Sequence, residues 1–153
     1  MGIYRNAIAY VSSRDQFGQP ISGFQLVQEK IVKIMANVQA IGMVCWRIAD
    51  MQSKGELTIG MVGMFKAWAT ERAREISRWG REVLGGNGIL HDRYIMKALT
   101  DNEAMYTLEG TYEINTLIAG RELTGMPAFK PQKSPYWSTW SLSLNGILSK
   151  FLV

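Results

Sequence analysis

Two carboxylates, Glu109 and Glu113, lie four residues apart in the stretch TLEGTYEIN (107–115). A carboxylate can act as a proton-abstracting base where it is partly removed from water and aimed at an acidic C–H group. The same residues also fit a helix start, with Thr111 as the N-cap, Glu113 in the first turn and Glu109 in the loop before it. On this second interpretation Gly110 only lets the chain bend. The residues alone leave both interpretations open.

A second stretch, LGGNG (84–88), follows a helical pattern and could serve a ligand. Glycines at such a place usually end a helix, and they also let a bulky ligand approach the backbone. No strand precedes these glycines, so they are not a Rossmann dinucleotide-binding fingerprint.

The single cysteine and the single histidine limit the chemistry that the sequence can support. Cys45 and His91 can form neither an internal disulfide framework nor a Cys/His metal cluster. Cys45 falls on an apolar helical stripe, and we predict it to be a small core residue.

The composition is typical of a globular protein with one domain, since 47% of the 153 residues are hydrophobic and 20% are charged. The net charge of +4 is mild and its cations are interspersed with acids, so nucleic acid is not an expected partner. Asn6 stands where an N-myristoylation motif needs Ser or Thr, so the sequence does not match that motif. Residues 31–46 are apolar, but Lys33, Asn37 and Gln39 interrupt them, so we predict an amphipathic helix and no membrane span.

Helical periodicity runs through most of the chain. Apolar spacing predicts a helix over 2–13, which Gly18 and Pro20 interrupt. We predict that Ser22 caps a long second helix, which ends near Gly55. The apolar stripe predicted for this helix contains Phe24, Val27, Ile31, Ile34, Met35, Val38, Ile41, Cys45 and Ile48.

A third helix is predicted over 59–84, with Thr58 as its cap. Ala69 and Ala73 are small, so we expect a neighbouring helix to approach closely there. The apolar stripe predicted for this helix contains Met61, Phe65, Trp68, Ala69, Ile76, Trp79 and Val83.

Two short helical pieces are predicted over 92–99 and 101–107, followed by a last helix over 112–123. No segment alternates with a period of two residues. The predicted fold class is therefore all-α, an antiparallel bundle of long helices.

Three stretches in order resemble the C-terminal helical domain of the acyl-CoA dehydrogenase and acyl-CoA oxidase superfamily. They are RDQFGQPISGFQ (14–25), REVLGGNGI (81–89) and LEGTYEINTLIAGRELTG (108–125). The branches that they resemble most are glutaryl-CoA dehydrogenase and the plant-type short-chain acyl-CoA oxidase. The resemblance covers residues 1–131 as one domain and implies the same bundle, while residues 132–153 form a tail outside it.

The resemblance implies FAD as the cofactor. It places Arg14 on the FAD pyrophosphate, often that of a neighbouring subunit, and Phe17 at the adenine end. Glu82 stands where many members have Gln, and the glutaryl-type branch tends to be acidic there. The residues implied in FAD binding are Arg14, Gln16, Phe17, Gln25, Glu82, Val83, Leu84, Gly85, Gly86, Thr111, Tyr112 and Glu113.

The resemblance also implies an activity, the α,β-dehydrogenation of a short-chain or glutaryl-type acyl-CoA. Glu109 matches the base that takes the α-proton, and the hydride passes to the flavin N5. Gly110 would give the thioester close access to the backbone, and Phe129 would lie near the ligand. Leu108 replaces a usual Tyr, which leaves the preferred acyl chain length open.

The implied partners are the acyl-CoA substrate and further copies of the chain in a homodimer or homotetramer. Electron-transfer flavoprotein would accept the electrons of a dehydrogenase, and oxygen those of an oxidase. The implied location is the mitochondrial matrix or the peroxisome, and no targeting signal is recognisable. The family's N-terminal helical domain and middle β-domain have no counterpart in this sequence, so we expect a fragment. The alternative function is a truncated, non-catalytic bundle that serves only in oligomerisation.

Overall fold

The structure, a computed structural model, describes residues 1–126. The elements in this range are α1 (Gly2–Ser13), β1 (Asp15–Gln16), β2 (Gln19–Pro20), α2 (Gln25–Ser53), α3 (Ile59–Val83), α4 (Ile95–Thr107) and α5 (Tyr112–Thr124). Short 3₁₀ turns cover Ile21–Gly23, Gly85–Ile89 and His91–Arg93. The predicted all-α fold is confirmed. The predictions for Phe129 and for the tail over 132–153 lie outside the described residues.

A two-residue hairpin joins α1 to α2 and is the only sheet within residues 1–126. Phe17 and Gly18 both have positive φ, 54° and 80°, as the turn of a tight hairpin requires. The predicted cap at Ser22 is wrong, because Ser22 lies in a 3₁₀ turn and α2 begins after Phe24. The carbonyl oxygen of Ser22 instead accepts a hydrogen bond from Gln28 Nε2 at 3.0 Å.

The turn between α2 and α3 follows the predicted signals. Gly55 has a φ of 69° just past the end of α2. The Thr58 hydroxyl accepts a hydrogen bond from the Met61 N–H at 3.2 Å, which confirms the predicted cap. Glu122, near the end of α5, adds a second contact at this place, because it accepts the Gly60 N–H at 2.9 Å. The end of α5 therefore lies beside the start of α3, and the two helices run antiparallel.

The central helix α3 contacts each of the other four helices. Its buried residues are mostly small and include Gly60, Gly63, Ala67, Thr70, Ser77 and Gly80. A Cβ atom added at Gly63 would lie 2.8 Å from the carbonyl oxygen of Asn115 in α5. Gly63 is therefore a point of close approach between α3 and α5. At the predicted Ala73, Asn102 of α4 donates to the backbone carbonyl oxygen at 3.3 Å. A helix with neighbours on several sides needs small side chains where the backbones meet.

The core lies where α1, α2, α3 and α4 meet. Its buried residues are Ala7, Val11, Ile34, Ile76, Val83, Leu84 and Ile95. Cys45 is exposed, so its predicted place in the core is wrong. The inward line of α2 drifts over its length and continues through Val44, Ile48 and Met51, which leaves Cys45 beside it.

The α4 region forms one helix rather than the two predicted pieces over 92–99 and 101–107. Thr100 does not interrupt the helix, because its hydroxyl donates to the Met96 carbonyl oxygen at 3.2 Å. Asn102 fastens the middle of α4 to α3 by donating to the Ser77 hydroxyl at 2.5 Å. The last predicted helix is confirmed as α5.

Candidate functional site

Two of the stretches with implied cofactor residues meet at one cavity of about 440 Å³. They come from the end of α1 and from the end of α3, far apart in the sequence. The cavity is lined by Tyr10, Arg14, Gln16, Ile21, Glu82, Val83, Leu84, Gly85, Gly86 and Asn87. Seven of the twelve implied FAD residues are thus side by side.

At the end of α1, hydrogen bonds of both its N–H and its C=O group fix the backbone of Arg14. The Arg14 N–H donates to the Tyr10 carbonyl oxygen at 2.9 Å, as the C-cap of α1. The Arg14 carbonyl oxygen accepts the Ile21 N–H at 2.8 Å, which folds the hairpin back onto α1. The guanidinium therefore projects from a fixed point at the cavity edge.

The other wall of the cavity exposes backbone. A Cβ atom added at Gly85 or Gly86 would meet no atom within 4 Å, so the peptide groups there are open to a ligand. Gly85 has a φ of 55°, which a residue with a side chain rarely adopts. Both glycines thus fit the close approach of a flat group.

Among the described residues, the charges around the cavity leave one cation at its edge without an ion-pair partner. The Glu82 carboxylate lies 3.7 Å from Lys30 Nζ and 3.7 Å from Arg78 Nε, and these two cations offset its charge. Within residues 1–126, Arg14 has no carboxylate in ion-pair range. Guanidinium groups bind phosphate through paired N–H donors, so Arg14 is a candidate anion contact.

Three residues of the cavity were missed by sequence reasoning, Tyr10, Ile21 and Asn87. Asn87 Nδ2 donates to the Tyr10 hydroxyl at 2.7 Å, which joins α1 to the turn after α3. Tyr10 lies one helical turn before Arg14, on the same face of α1. That spacing is a signal by which Tyr10 could have been found.

Other implied cofactor residues do not line the cavity. Phe17 is 92% exposed at the hairpin tip, where its ring packs edge-on to Phe24 with centroids 6.0 Å apart. Gln25 is exposed at the start of α2. Thr111 ends a separate loop over 108–111, and Tyr112 and Glu113 begin α5.

That loop joins α4 to α5 and carries Glu109. Glu109 has a φ of 56° and Gly110 a φ of 91°, so two successive residues are in the left-handed half of backbone space. A positive φ is uncommon for a residue with a side chain and is concentrated at functional sites. The Glu109 side chain is exposed in this structure.

Two stacked tyrosines close the base of the loop. The rings of Tyr106 and Tyr112 are stacked with centroids 5.5 Å apart and planes 10° apart. The guanidinium of Arg74 in α3 lies 4.3 Å above the Tyr106 ring and also bonds Glu103 at 2.6 Å. The Glu103 carboxylate raises the pKa of Arg74 further above its usual range. The ends of α4 and α5 are thus fixed to each other and to α3.

Glu113 has the helix-start role that its position predicts. Thr111 caps α5 by accepting the Ile114 N–H at 3.4 Å. Hydrogen bonds from its own backbone N–H and from the Thr111 hydroxyl hold the pKa of the Glu113 carboxyl below its usual value. Glu113 is therefore suited to stabilise the helix start and not to accept a proton near neutral pH.

The fold is that of an all-α helical domain, and comparison with known proteins gives the family. The family described as acyl-CoA dehydrogenase, C-terminal domain, matches residues 1–124. The chain therefore belongs to the acyl-CoA dehydrogenase family. The matched range includes every residue discussed above except Gly125, Phe129 and the tail.

Curated relatives and solved structures agree on this assignment. The mitochondrial isovaleryl-CoA dehydrogenase of Oryza sativa subsp. japonica is 31% identical over 117 residues, which cover 76% of this chain and 29% of the relative. The mitochondrial 2-methylacyl-CoA dehydrogenase of Solanum tuberosum is 32% identical over 116 residues, 76% of this chain and 28% of the relative.

Among solved structures, a glutaryl-CoA dehydrogenase from Mycobacterium smegmatis superposes with a TM-score of 0.81 at 36% identity. The match covers 84% of this chain and 33% of that one. A second M. smegmatis glutaryl-CoA dehydrogenase structure, a complex with FADH2, has a TM-score of 0.80 at 28% identity. The chain thus spans about a third or less of the length of these relatives.

Proposed function

We propose that this chain is the C-terminal domain of an FAD-dependent acyl-CoA dehydrogenase that acts on short-chain or glutaryl-type thioesters. The observation that carries the proposal is the cavity that brings Arg14 and Gln16 together with the segment 82–86. The Arg14 guanidinium, which has no ion-pair partner within residues 1–126, and the open glycine backbone suit a dinucleotide. The similarity to a protein solved with FADH2 supports FAD as that dinucleotide.

The two ends of the cavity favour one orientation of the dinucleotide. The segment 82–86 includes the C-terminal end of α3, whose exposed carbonyl groups disfavour a phosphate. Arg14 supplies the positive charge on the opposite wall. The pyrophosphate therefore belongs beside Arg14, and the uncharged adenosine belongs against Gly85 and Gly86.

Glu109 is the residue that we assign to proton transfer. FAD, when bound, accepts the hydride from the β-carbon of the acyl chain. Glu109 takes the α-proton as the bond between the β-carbon and its hydrogen breaks. The adjacent Gly110 leaves room for the thioester next to the backbone. Thr111 and Glu113 stabilise the start of α5 and so fix the end of the loop that carries Glu109.

The partners follow from the relatives. Those named above are all dehydrogenases, which favours electron-transfer flavoprotein over oxygen as the electron acceptor. The plant relatives are mitochondrial, which supports the mitochondrial matrix as the place of action. Their substrates are short or branched acyl groups, in keeping with the proposed substrate class.

Arg14 gives the direct test of the cofactor site. We expect Arg14→Ala to weaken FAD binding about tenfold, because a hydrogen bond to a charged group is lost. The measurement is flavin absorbance and fluorescence titration of a chimera in which residues 1–124 replace the equivalent region of the M. smegmatis glutaryl-CoA dehydrogenase. Arg5→Ala is the matched control, since Arg5 is an exposed arginine on the same helix that does not line the cavity. Equal FAD affinity of the two variants would remove Arg14 from the site.

One observation favours the oligomerisation module as a second function. By its length and composition, α2 could also cross a membrane. Only 6% of its most apolar 18-residue segment is buried inside the structure. The exposed residues Val32, Met43 and Trp46 follow one side of α2, and Trp46 is 79% exposed. We assign α2 to the bundle because Ile34 and Met51 pack inward. Its outward row then suits contact with a second copy of the chain.

We expect the chain to self-associate at tens of micromolar, roughly the range of weak protein contacts. Trp46→Glu should weaken the association about thirtyfold, as loss of a large aromatic anchor does. Leu26→Glu is the matched control, an exposed apolar residue of α2 about 160° around the helix axis from Trp46. Sedimentation velocity of the three proteins makes the comparison. A monodisperse monomer of the unsubstituted chain would contradict this role.

A further inference from the structure

The carbonyl oxygen of Gly110 accepts hydrogen bonds from two side chains on different helices. Lys66 Nζ in α3 lies 2.5 Å from this oxygen and 3.3 Å from the Tyr106 carbonyl oxygen. Asn115 Nδ2 in α5 lies 2.7 Å from it and 3.0 Å from the Thr111 carbonyl oxygen. Both acceptor positions of the Gly110 carbonyl are thereby used.

We propose that Lys66 and Asn115 are positioning residues for Glu109, an inference that rests on the proposed function. The Glu109 side chain is exposed, so side-chain packing does not fix its direction and the backbone must. Its φ of 56° is unfavourable for a residue with a Cβ atom. The Gly110 carbonyl belongs to the Gly110–Thr111 peptide group, one residue beyond Glu109. Fixing this group from two sides restrains the loop that holds Glu109 in that conformation.

Lys66 and Asn115 can each donate hydrogen bonds to two carbonyl groups at once. Lys66 is half-buried in the middle of α3 and reaches both ends of the loop, at Tyr106 and at Gly110. Asn115 is 7% exposed, and its amide supplies donors to two successive carbonyl groups. A Cβ atom at Gly110 would lie 2.9 Å from Asn115 Nδ2, so the amide also requires glycine after Glu109.

The test on the full chain uses NMR and needs neither cofactor nor substrate. Lys66→Met keeps the length of the side chain and removes its donors. We expect it to shift the Glu109 Cα and Gly110 amide signals, because the Gly110 carbonyl loses one of its two donors. Lys66→Arg keeps a cationic donor and should restore the signals in part. Lys97→Met, which removes an exposed lysine paired with Asp101, should leave them unchanged.

A second measurement covers the case in which Lys66→Met fails to fold. In the unsubstituted chain, the Lys66 Nζ–Gly110 hydrogen bond should give a through-bond coupling between the lysine nitrogen and the Gly110 carbonyl carbon. Unchanged Glu109 signals in a folded Lys66→Met, or no such coupling in the unsubstituted chain, would overturn the inference.

The catalytic consequence is measured in the chimera and separates this inference from the proposed function. Lys66→Met should lower the rate constant of flavin reduction at least about tenfold, with little change in acyl-CoA affinity. Full activity of Lys66→Met beside an inactive Glu109→Gln would refute the positioning role alone. Full activity of Glu109→Gln would refute the proposed base and with it the catalytic meaning of the loop.

Discussion

Glu109→Gln in the chimera is expected to lower the rate of flavin reduction by acyl-CoA about a hundred- to ten-thousandfold, the usual effect of removing a general base. Glutamine keeps the size and shape of the side chain but cannot take up the α-proton as a carboxylate does. FAD binding should stay unchanged, because Glu109 does not line the cavity of Arg14. Rapid mixing with short-chain and glutaryl-CoA thioesters, followed by flavin bleaching, measures the rate.

Glu113→Gln is the control for this experiment, since it makes the same chemical change four residues away. We expect a much smaller effect, because Glu113 is held ionised at the start of α5 by its own N–H and the Thr111 hydroxyl. If Glu113→Gln were the inactive variant, the base would be assigned to the wrong carboxylate. If neither variant changed the rate, the loop would not carry the base at all.

The helix boundaries that the sequence predicts correctly are those with a local chemical signal. Thr58 and Thr111 cap α3 and α5 through their own hydroxyl groups, and Gly55 ends α2 with a positive φ. The start of α2 has no such signal, because Phe24 cannot cap a helix through its side chain. Ser22 was predicted there instead, since a serine before an apolar run is normally a good cap.

Burial was harder to predict than helicity. The stripe predicted for α3 is mostly large apolar residues, of which only Ile76 and Val83 are buried, and the structure also buries Gly63, Thr70 and Ser77. Hydrophobic periodicity shows which side of a helix faces a core, but not how closely a neighbour approaches. The neighbour's position depends on the whole packing arrangement, which a single sequence does not contain.

The candidate site shows the same difference between features with a local sequence signal and features that depend on packing. Glu109 and Arg14 lie in ordered motifs and can be named from the sequence, because each motif is contiguous. Lys66 contacts the Glu109 loop from another helix, and no local spacing links Lys66 to Gly110, 44 residues later. Candidate ligand contacts that lie in contiguous motifs are therefore easier to find in the sequence than the residues proposed to position them.

Gly88→Ala is expected to destabilise the fold by about 3 kcal/mol, the upper end of the overpacking range. Gly88 is buried in the 3₁₀ turn after α3, and a Cβ atom there would overlap the carbonyl oxygen of Arg81. The obstacle is backbone in the last turn of α3, so no side-chain rotation can relieve it. For a chain of this size the melting temperature should fall by roughly 6–12 °C. Thermal unfolding followed by circular dichroism measures this change.

Gly86→Ala, two residues earlier in the same turn, is the matched control. A Cβ atom at Gly86 meets nothing within 4 Å, so its stability should stay within about 0.5 kcal/mol of the unsubstituted chain. Gly86 lines the cavity, however, and in the chimera the added methyl group should weaken FAD binding without lowering the melting temperature. Loss of stability at Gly88 together with loss of affinity alone at Gly86 would assign the two glycines to packing and to ligand approach. Equal melting temperatures for the two variants would contradict this prediction. They would show that the backbone at Gly88 can shift away from the Arg81 carbonyl oxygen.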